Sequence, residues 1–148
     1  MRVASLTLLL AGSLALSGCS GSPFMSPTPI SAIIAGNWSG TEESTPPGGG
    51  QRQTLAATAT FTQNGDDVTG QITLAGGAVV MLAGTMFGSS VTFDVEYVAG
   101  PPQGQACTGT ARVSGSASDT TLRFSVQTLA TTAPCVFSSS ISYVLERI

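Results

Sequence analysis

Histidine and lysine are both absent from this chain of 148 residues, and only 9% of its residues are charged. Without histidine, the chain lacks the side chain that most often serves as a general base and as a zinc ligand. Its five basic residues are all arginines and face eight aspartates and glutamates, so no basic surface is available for nucleic acid. We therefore expect no metal site, no cofactor and no nucleic-acid partner.

Catalytic patterns are also missing. The carboxylates are expected at turns or on the solvent face of strands, not as an inward pair in an apolar pocket. No serine lies in a Gly-x-Ser-x-Gly elbow. Asp66 and Asp67 could contribute to a calcium site with Asn64, but a charged hairpin tip is the simpler interpretation. We predict that the chain is not an enzyme.

The first 18 residues have the order of an export signal. Arg2 precedes an apolar run over residues 3–16, which is short for a membrane-spanning helix. The sequence LSGC follows and ends at Cys19. It resembles the lipobox of bacterial lipoproteins, a family in which a diacylglyceryl group is attached to the cysteine sulfur and the peptide is cut before it. An ordinary signal peptide, cut upstream and leaving a free thiol, is the alternative.

The lipobox resemblance implies a domain organisation and a location. Residues 1–18 would be a signal peptide, residues 19–32 an acylated cysteine followed by a Ser/Pro-rich tether, and residues 33–148 one folded domain. The membrane would be a partner through the lipid anchor, since two or more acyl chains hold a protein on a bilayer stably. Ser20 rather than aspartate follows the cysteine, which favours the outer membrane of a bacterial cell envelope, facing the periplasm or the surface.

The chain has three cysteines, an odd number for an exported protein. With Cys19 assigned to lipid, Cys107 and Cys135 remain as a pair, in an oxidising compartment where disulfides persist. Such a bridge would stabilise the fold by about 3–4 kcal/mol by restricting the unfolded chain. Two unpaired buried thiols are the alternative.

The rest of the chain has the pattern of an all-β protein. Apolar and polar residues alternate, and Gly, Pro, Asn and Asp recur every 8 to 12 residues. Asn64 and Gly65 offer the Asn-Gly step of a tight hairpin. The predicted strands lie near residues 33–42, 54–62, 67–75, 78–87, 90–98, 106–115, 120–128 and 136–147.

Because side chains alternate along a strand, the predicted strands have one buried face and one solvent-exposed face. The fifth, seventh and last strands each have one apolar side, with inward sets Val91, Phe93, Val95 and Tyr97; Leu122, Phe124 and Val126; and Phe137, Ile141, Tyr143 and Leu145. The fourth strand is apolar on both sides. This strand could pack under a loop, or, in a partner-binding protein, turn Val80, Leu82 and Met86 outward as a contact patch.

A short unit, an apolar residue and a small one followed by glycine, recurs along the strands. Glycine within a strand weakens it unless a bend or a close approach requires it. Repeated around a sheet, it favours strands that coil into a closed barrel. A compositional bias without geometric meaning is the alternative. The glycines concerned are Gly40, Gly70, Gly84, Gly109 and Gly115.

The sequence GNWSGT at residues 36–41 resembles the Gly-x-Trp signature that opens the first strand of lipocalins and the related avidin-like barrels. The resemblance implies a small antiparallel up-and-down barrel of eight strands. It also implies that Trp38 plugs one end of the barrel and that Arg147, near the end of the last strand, packs across it. A β-sandwich is the alternative fold.

Two functions fit this sequence. The first is a binding module whose barrel holds one small apolar or amphipathic ligand, with Phe61, Phe93, Phe124 and Tyr143 as its lining. The second is a structural or partner-binding envelope lipoprotein whose barrel is filled by side chains. An internal cavity would favour the first, and a packed interior would favour the second.

Overall fold

The computed structural model describes residues 28–45, 50–99, 107–127, 130–131 and 140–148. Within these residues the regular structure is entirely β-strand, and no helix is long and apolar enough to cross a bilayer. The strands are β1 (Gly36–Thr45), β2 (Gln53–Asn64), β3 (Asp67–Leu74), β4 (Val79–Phe87), β5 (Ser90–Ala99), β6 (Cys107–Ala117), β7 (Thr121–Val126), β8 (Ala130–Thr131) and β9 (Ser140–Arg147).

The strands form one closed antiparallel barrel. Each of β1 to β6 pairs with the next strand in sequence, β7 pairs with β9, and β9 returns to pair with β1. The two-residue β8 pairs with β6 at Gly109 and Thr110, beyond the point where β7 pairs with β6. Eight strands therefore close the wall in up-and-down order, which confirms the barrel and excludes the sandwich.

Alternation along the strands places the core inside the barrel. In β2 every second residue from Ala57 to Phe61 is buried, and its neighbours are exposed. The inward faces predicted for β7 and β9 are confirmed for the residues that the structure describes, since these are buried. Phe137 of the predicted last strand lies outside the described residues. In β5 the first three predicted residues are buried and Tyr97 is half-buried.

The predicted orientation of β4 was wrong. Val80, Leu82 and Met86 are buried inside the barrel, whereas Met81 and Phe87 face outward. Because both faces of this strand are apolar, its own pattern does not determine which side turns inward. The register determines it, since neighbouring inward residues pair directly, as Leu82 does with Val95 of β5. The predicted outer patch therefore does not exist, and those side chains are core.

Glycines within the strands allow neighbouring backbones to approach closely. A Cβ added at Gly84 would lie 1.9 Å from the carbonyl oxygen of Thr92, and one at Gly40 would lie 1.9 Å from that of Val144. Gly70 and Gly115 are equally confined, by Phe61 and by the backbone of β7. These positions therefore have a geometric requirement for glycine, beyond any compositional bias.

The two ends of the barrel differ. At one end the connections are short turns: Gly65–Asp66, Gly88–Ser89 and residues 118–120. Gly65 has a φ of 62° there, and the predicted Asn64-Gly65 hairpin is confirmed. The other end carries the longer connections that follow β1, β5 and β8. We call the first the closed end, because residues 28–35 lie across it, and the second the long-loop end.

Candidate functional site

A column of five aromatic side chains occupies the barrel interior. Successive ring centroids lie 6.3, 6.1, 5.5 and 4.7 Å apart, from Trp38 through Phe61, Phe93 and Phe124 to Tyr143. All five are buried. Edge-to-face and offset pairs at these distances contribute about 0.5–1.5 kcal/mol each beyond the burial of apolar area. The four side chains predicted to line a ligand cavity therefore pack against one another and against Trp38.

Trp38 forms the end of this column that lies nearest the closed end of the barrel. Its indole Nε1 donates a hydrogen bond of 2.8 Å to the carbonyl oxygen of Ile34, and both side chains are fully buried. The indole therefore has an apolar body inside the barrel and a satisfied polar edge, as a buried tryptophan requires.

Arg147 lies over the indole from the last strand. Its Cζ is 5.0 Å from the centroid of the Trp38 ring, and the two residues are direct partners in the pairing of β1 with β9. The guanidinium also donates to the carbonyl oxygens of Asp119 (2.6 Å), Ala35 (3.0 Å) and Ile33. A planar fork of five donors suits this arrangement, in which three backbone oxygens and one ring face are bound together.

Residues 28–35, which we call the strap, cross the closed end without regular secondary structure. The side-chain amide of Gln63, at the end of β2, makes two hydrogen bonds to the strap. Ile34 N donates to Gln63 Oε1 (2.7 Å), and Gln63 Nε2 donates to Ala32 O (3.0 Å). Ala32 N donates in turn to Gly88 O in the β4–β5 turn (2.9 Å). The strap is thereby bound to the end of β2 and to the β4–β5 turn.

Two aspartates at the closed end complete the attachment of the strap. The Ser31 hydroxyl donates to Asp66 Oδ1 (2.6 Å), and Ile33 N donates to Asp119 Oδ1 (3.0 Å). Asp66 belongs to the hairpin tip for which the sequence offered a calcium site as the less favoured interpretation. Among the residues that the structure describes, no group of three or more acidic, histidine or cysteine side chains is placed to hold a metal ion. Both aspartates instead accept hydrogen bonds from the strap.

A polar cluster lies inside the barrel toward the long-loop end. Tyr143 donates its phenolic hydrogen to Glu42 Oε2 at 2.6 Å, and the Ser44 side chain also hydrogen-bonds the Glu42 carboxyl. Glu42 is buried, with 2% of its surface exposed. The expectation that every carboxylate lies at a turn or on the solvent face was therefore wrong. Adjacent Glu42 and Glu43 must face opposite sides of a strand, and the spacing from Trp38 already assigned Glu42 to the inside.

Burial controls the protonation of this cluster. Desolvation raises the pKa of Glu42, although its hydrogen bonds to Tyr143 and Ser44 oppose the shift. Burial, and then the nearby Glu42 charge, raise the pKa of Tyr97 to about 12 and hold that of Tyr143 far above its ordinary range. The cluster therefore offers phenol and carboxyl groups for hydrogen bonding, and its phenols stay neutral near pH 7.

The outer surface of β2 to β6 carries a shallow, open groove of about 1090 Å³. Its lining is polar at the edges and apolar between them, and Arg112 Nε lies 3.6 Å from Asp94 Oδ1 across neighbouring strands. Both charged side chains are largely exposed, so this ion pair contributes little stability. Lining residues include Thr60, Thr69, Gln71, Met81, Asp94 and Arg112.

The remaining predicted site residues cannot be placed. Cys19 and Cys135 lie outside the described residues, and for Cys107 the structure describes the backbone, at the start of β6, but not the side chain. Lipidation of Cys19 and the disulfide between Cys107 and Cys135 therefore stay predictions.

No protein-family model matches this chain, and neither a curated protein nor a solved structure matches it significantly. The resemblance to lipocalins and avidin-like proteins therefore extends to an eight-stranded closed barrel and does not establish membership of either family.

Proposed function

We propose that this chain is a lipid-anchored lipoprotein of the bacterial cell envelope whose barrel is a filled, non-catalytic scaffold. The observation that supports this most is the aromatic column from Trp38 to Tyr143. An eight-stranded barrel encloses just enough space for its own side chains or for one small ligand. Five mutually packed aromatic rings use that space, which favours binding of a protein partner by outer surfaces or loops.

The anchor rests on the sequence before the strap. The lipobox at residues 16–19 follows an apolar run of signal-peptide length. Acylation at Cys19 would place two or more chains at the first mature residue, and each buried methylene adds about 0.8 kcal/mol to membrane binding.

The buried polar groups of the barrel support a non-catalytic role. Glu42 and Ser44 are the buried polar side chains among the described residues. Acid–base chemistry by carboxylates uses two groups with separated pKa values, whereas Glu42 has a phenol and a hydroxyl as its partners. A structural hydrogen-bond network explains this arrangement without a reaction.

One observation favours a second function, the binding of an amphipathic ligand at the long-loop end. Glu42 and Tyr143 are buried at that end, Tyr97 is half-buried there, and the cross-strand partners Leu55 of Glu42 and Val80 of Tyr97 are apolar. A ligand with a hydrogen-bonding head and an apolar body would match that combination. Such a ligand would bind between the aromatic column and the long-loop end, rather than within the column.

Two measurements test the proposal. Changing Cys19→Ala should release the protein from membranes into the soluble fraction after export, and unchanged tight retention would rule out the anchor. Native mass spectrometry of the mature protein, extracted in mild detergent, should show the mass of the acylated polypeptide with no further bound molecule. A co-purifying lipid in the wild-type domain that is lost on Glu42→Ala would favour the second function instead.

A further inference from the structure

Large exposed apolar side chains are concentrated at the closed end. Five such side chains occur in the part of the chain that the structure describes, and four of them lie at this end. These four, which we call the apolar rim, are 62–96% exposed: Ile30, Ile33, Phe87 and Ile148. The fifth, Met81, lies within β4 on the outer face of the wall. Single exposed apolar residues are ordinary, but their restriction to one end of a barrel is not.

Backbone contacts fix the rim residues around the same end. Ile30 and Ile33 belong to the strap, and Ala32 N of the strap donates to the carbonyl oxygen of Gly88, the residue after Phe87. Ile148 N donates to the carbonyl oxygen of Asn37 at the start of β1 (3.1 Å). The rim is therefore attached to ordered backbone, so its exposure requires no rearrangement of the barrel.

The charge at this end is predominantly acidic. Asp66, Asp67 and Asp119 lie in or beside its turns, and the guanidinium of Arg147 is bound to three carbonyl oxygens and the indole. An acidic surface gains nothing from anionic lipid and is repelled by it. Among bilayers, the zwitterionic interface fits this surface best.

The path of the chain leads toward the proposed anchor. The strap begins at Thr28, nine residues after Cys19. A segment of that length spans at most about 30 Å when fully extended. An acylated Cys19 would therefore keep the closed end, rather than the long-loop end, near the bilayer surface.

We propose that the closed end is a membrane-facing surface, and that the apolar rim inserts into the interface of a zwitterionic bilayer. This rests on the proposed function, because the Cys19 anchor supplies the local concentration that four side chains alone do not. The orientation presents the long-loop end, with Glu42 and Tyr97 beneath it, away from the membrane.

The test is depth-dependent quenching of tryptophan fluorescence in the full, acylated protein. The protein is reconstituted into phosphatidylcholine vesicles whose acyl chains carry bromine. One reporter is Phe87→Trp in the rim, and its matched control is Ala75→Trp in the exposed β3–β4 turn at the long-loop end. Native Trp38 contributes equally to both. We expect Phe87→Trp to show a blue shift and a clear loss of emission, and Ala75→Trp to show neither. Ile148→Trp is a second rim reporter if Phe87→Trp does not fold.

The outcomes separate this inference from the anchor. If the protein floats with the vesicles but both reporters are quenched equally, or Ala75→Trp more strongly, the orientation is refuted and the anchor stands. If Cys19→Ala protein floats as well as the wild type, the anchor is refuted, whatever the quenching shows. Stronger quenching of Phe87→Trp on addition of the anionic lipid phosphatidylglycerol would also refute apolar insertion of the rim, because that response would be electrostatic. Changing Ile30→Ser together with Ile33→Ser should reduce the quenching of Phe87→Trp.

Discussion

Tyr143 and Glu42 are direct partners across the junction where the last strand meets the first, and the phenol donates to the carboxyl at 2.6 Å inside the barrel. Two positions toward the closed end, Leu145 pairs with Gly40, and two positions further Arg147 pairs with Trp38. The junction that closes the barrel thus carries a buried hydrogen bond near one end and a cation–π contact at the other. Both contacts join residues about a hundred positions apart in the chain, so they form only when the barrel closes.

The first prediction separates the Glu42 hydrogen bond from its charge. Glu42→Gln keeps an oxygen that accepts from Tyr143 and removes a desolvated carboxylate, so stability at pH 7 should be retained or raised. Glu42→Ala leaves the buried Tyr143 hydroxyl without this partner and should cost about 1–3 kcal/mol. Urea unfolding followed by Trp38 fluorescence measures both. A Glu42→Gln variant as unstable as Glu42→Ala would show that the ionised carboxylate itself is required.

The second prediction concerns pH. The folded state binds the Glu42 proton more tightly than the unfolded chain, because burial raises its pKa above 4.5. The contribution of Glu42 to stability is therefore fully present below pH 4.5 and is lost as the pH rises through the folded pKa. Burial also raises the pKa of Tyr97 in the folded state, so its contribution to stability should be lost between about pH 10 and 12.

Glu42→Gln provides the control for that pH dependence. The decline in unfolding free energy above pH 4.5 should be smaller in Glu42→Gln than in the wild type, and the decline above pH 10 should remain. Equal profiles for the two proteins between pH 4 and 8 would contradict the assignment to Glu42.

The third prediction concerns the confined glycines. At Gly84 an added methyl group meets backbone atoms of Thr92 and Phe93 within 3 Å, so β4 and β5 would have to separate. Gly84→Ala should destabilise the barrel by about 1–3 kcal/mol or prevent folding. Gly76→Ala is the matched control, since nothing lies within 4 Å of the added atom. Its effect on the urea midpoint should be negligible, and similar losses for the two variants would show that confinement at Gly84 is unimportant.

Much of the barrel could be predicted from alternation, and the failures have physical causes. The inward faces of β7 and β9 were predictable because each has a single apolar side. In β4 both sides are apolar, and only pairing with neighbours orients Leu82. Glu42 was missed because a carboxylate is normally assigned to solvent, although its parity with Trp38 indicates the inside. The strap was not predictable, because its attachment depends on side chains such as Gln63 and Asp119 that are distant in sequence.

The fourth prediction is the disulfide between Cys107 and Cys135. Mass spectrometry of the non-reduced, exported protein after alkylation should show these two residues joined in one peptide pair. Reduction should lower stability by about 3–4 kcal/mol, because the bridge restricts the unfolded chain. Two alkylated thiols in the native protein would refute the pairing. Cys19 must be followed separately, since its sulfur is predicted to carry lipid.

The fifth prediction concerns Arg147. Its guanidinium binds the strap, the turn at Asp119 and the face of Trp38 at once. Arg147→Ala should lower stability by about 1–3 kcal/mol, through the lost cation–π contact and the lost hydrogen bonds. Arg147→Lys should recover only part of that, because an ammonium group cannot match the planar fork. The exposed Arg123 on the outer face of β7 provides the control, and Arg123→Ala should be neutral.

Since Trp38 is the only tryptophan, its emission reports the closed end directly. Arg147→Ala should shift this emission to the red at urea concentrations too low to unfold the barrel, because the strap detaches first. A single transition shared by Trp38 emission and far-ultraviolet circular dichroism would instead mean that the strap and the barrel unfold as one unit.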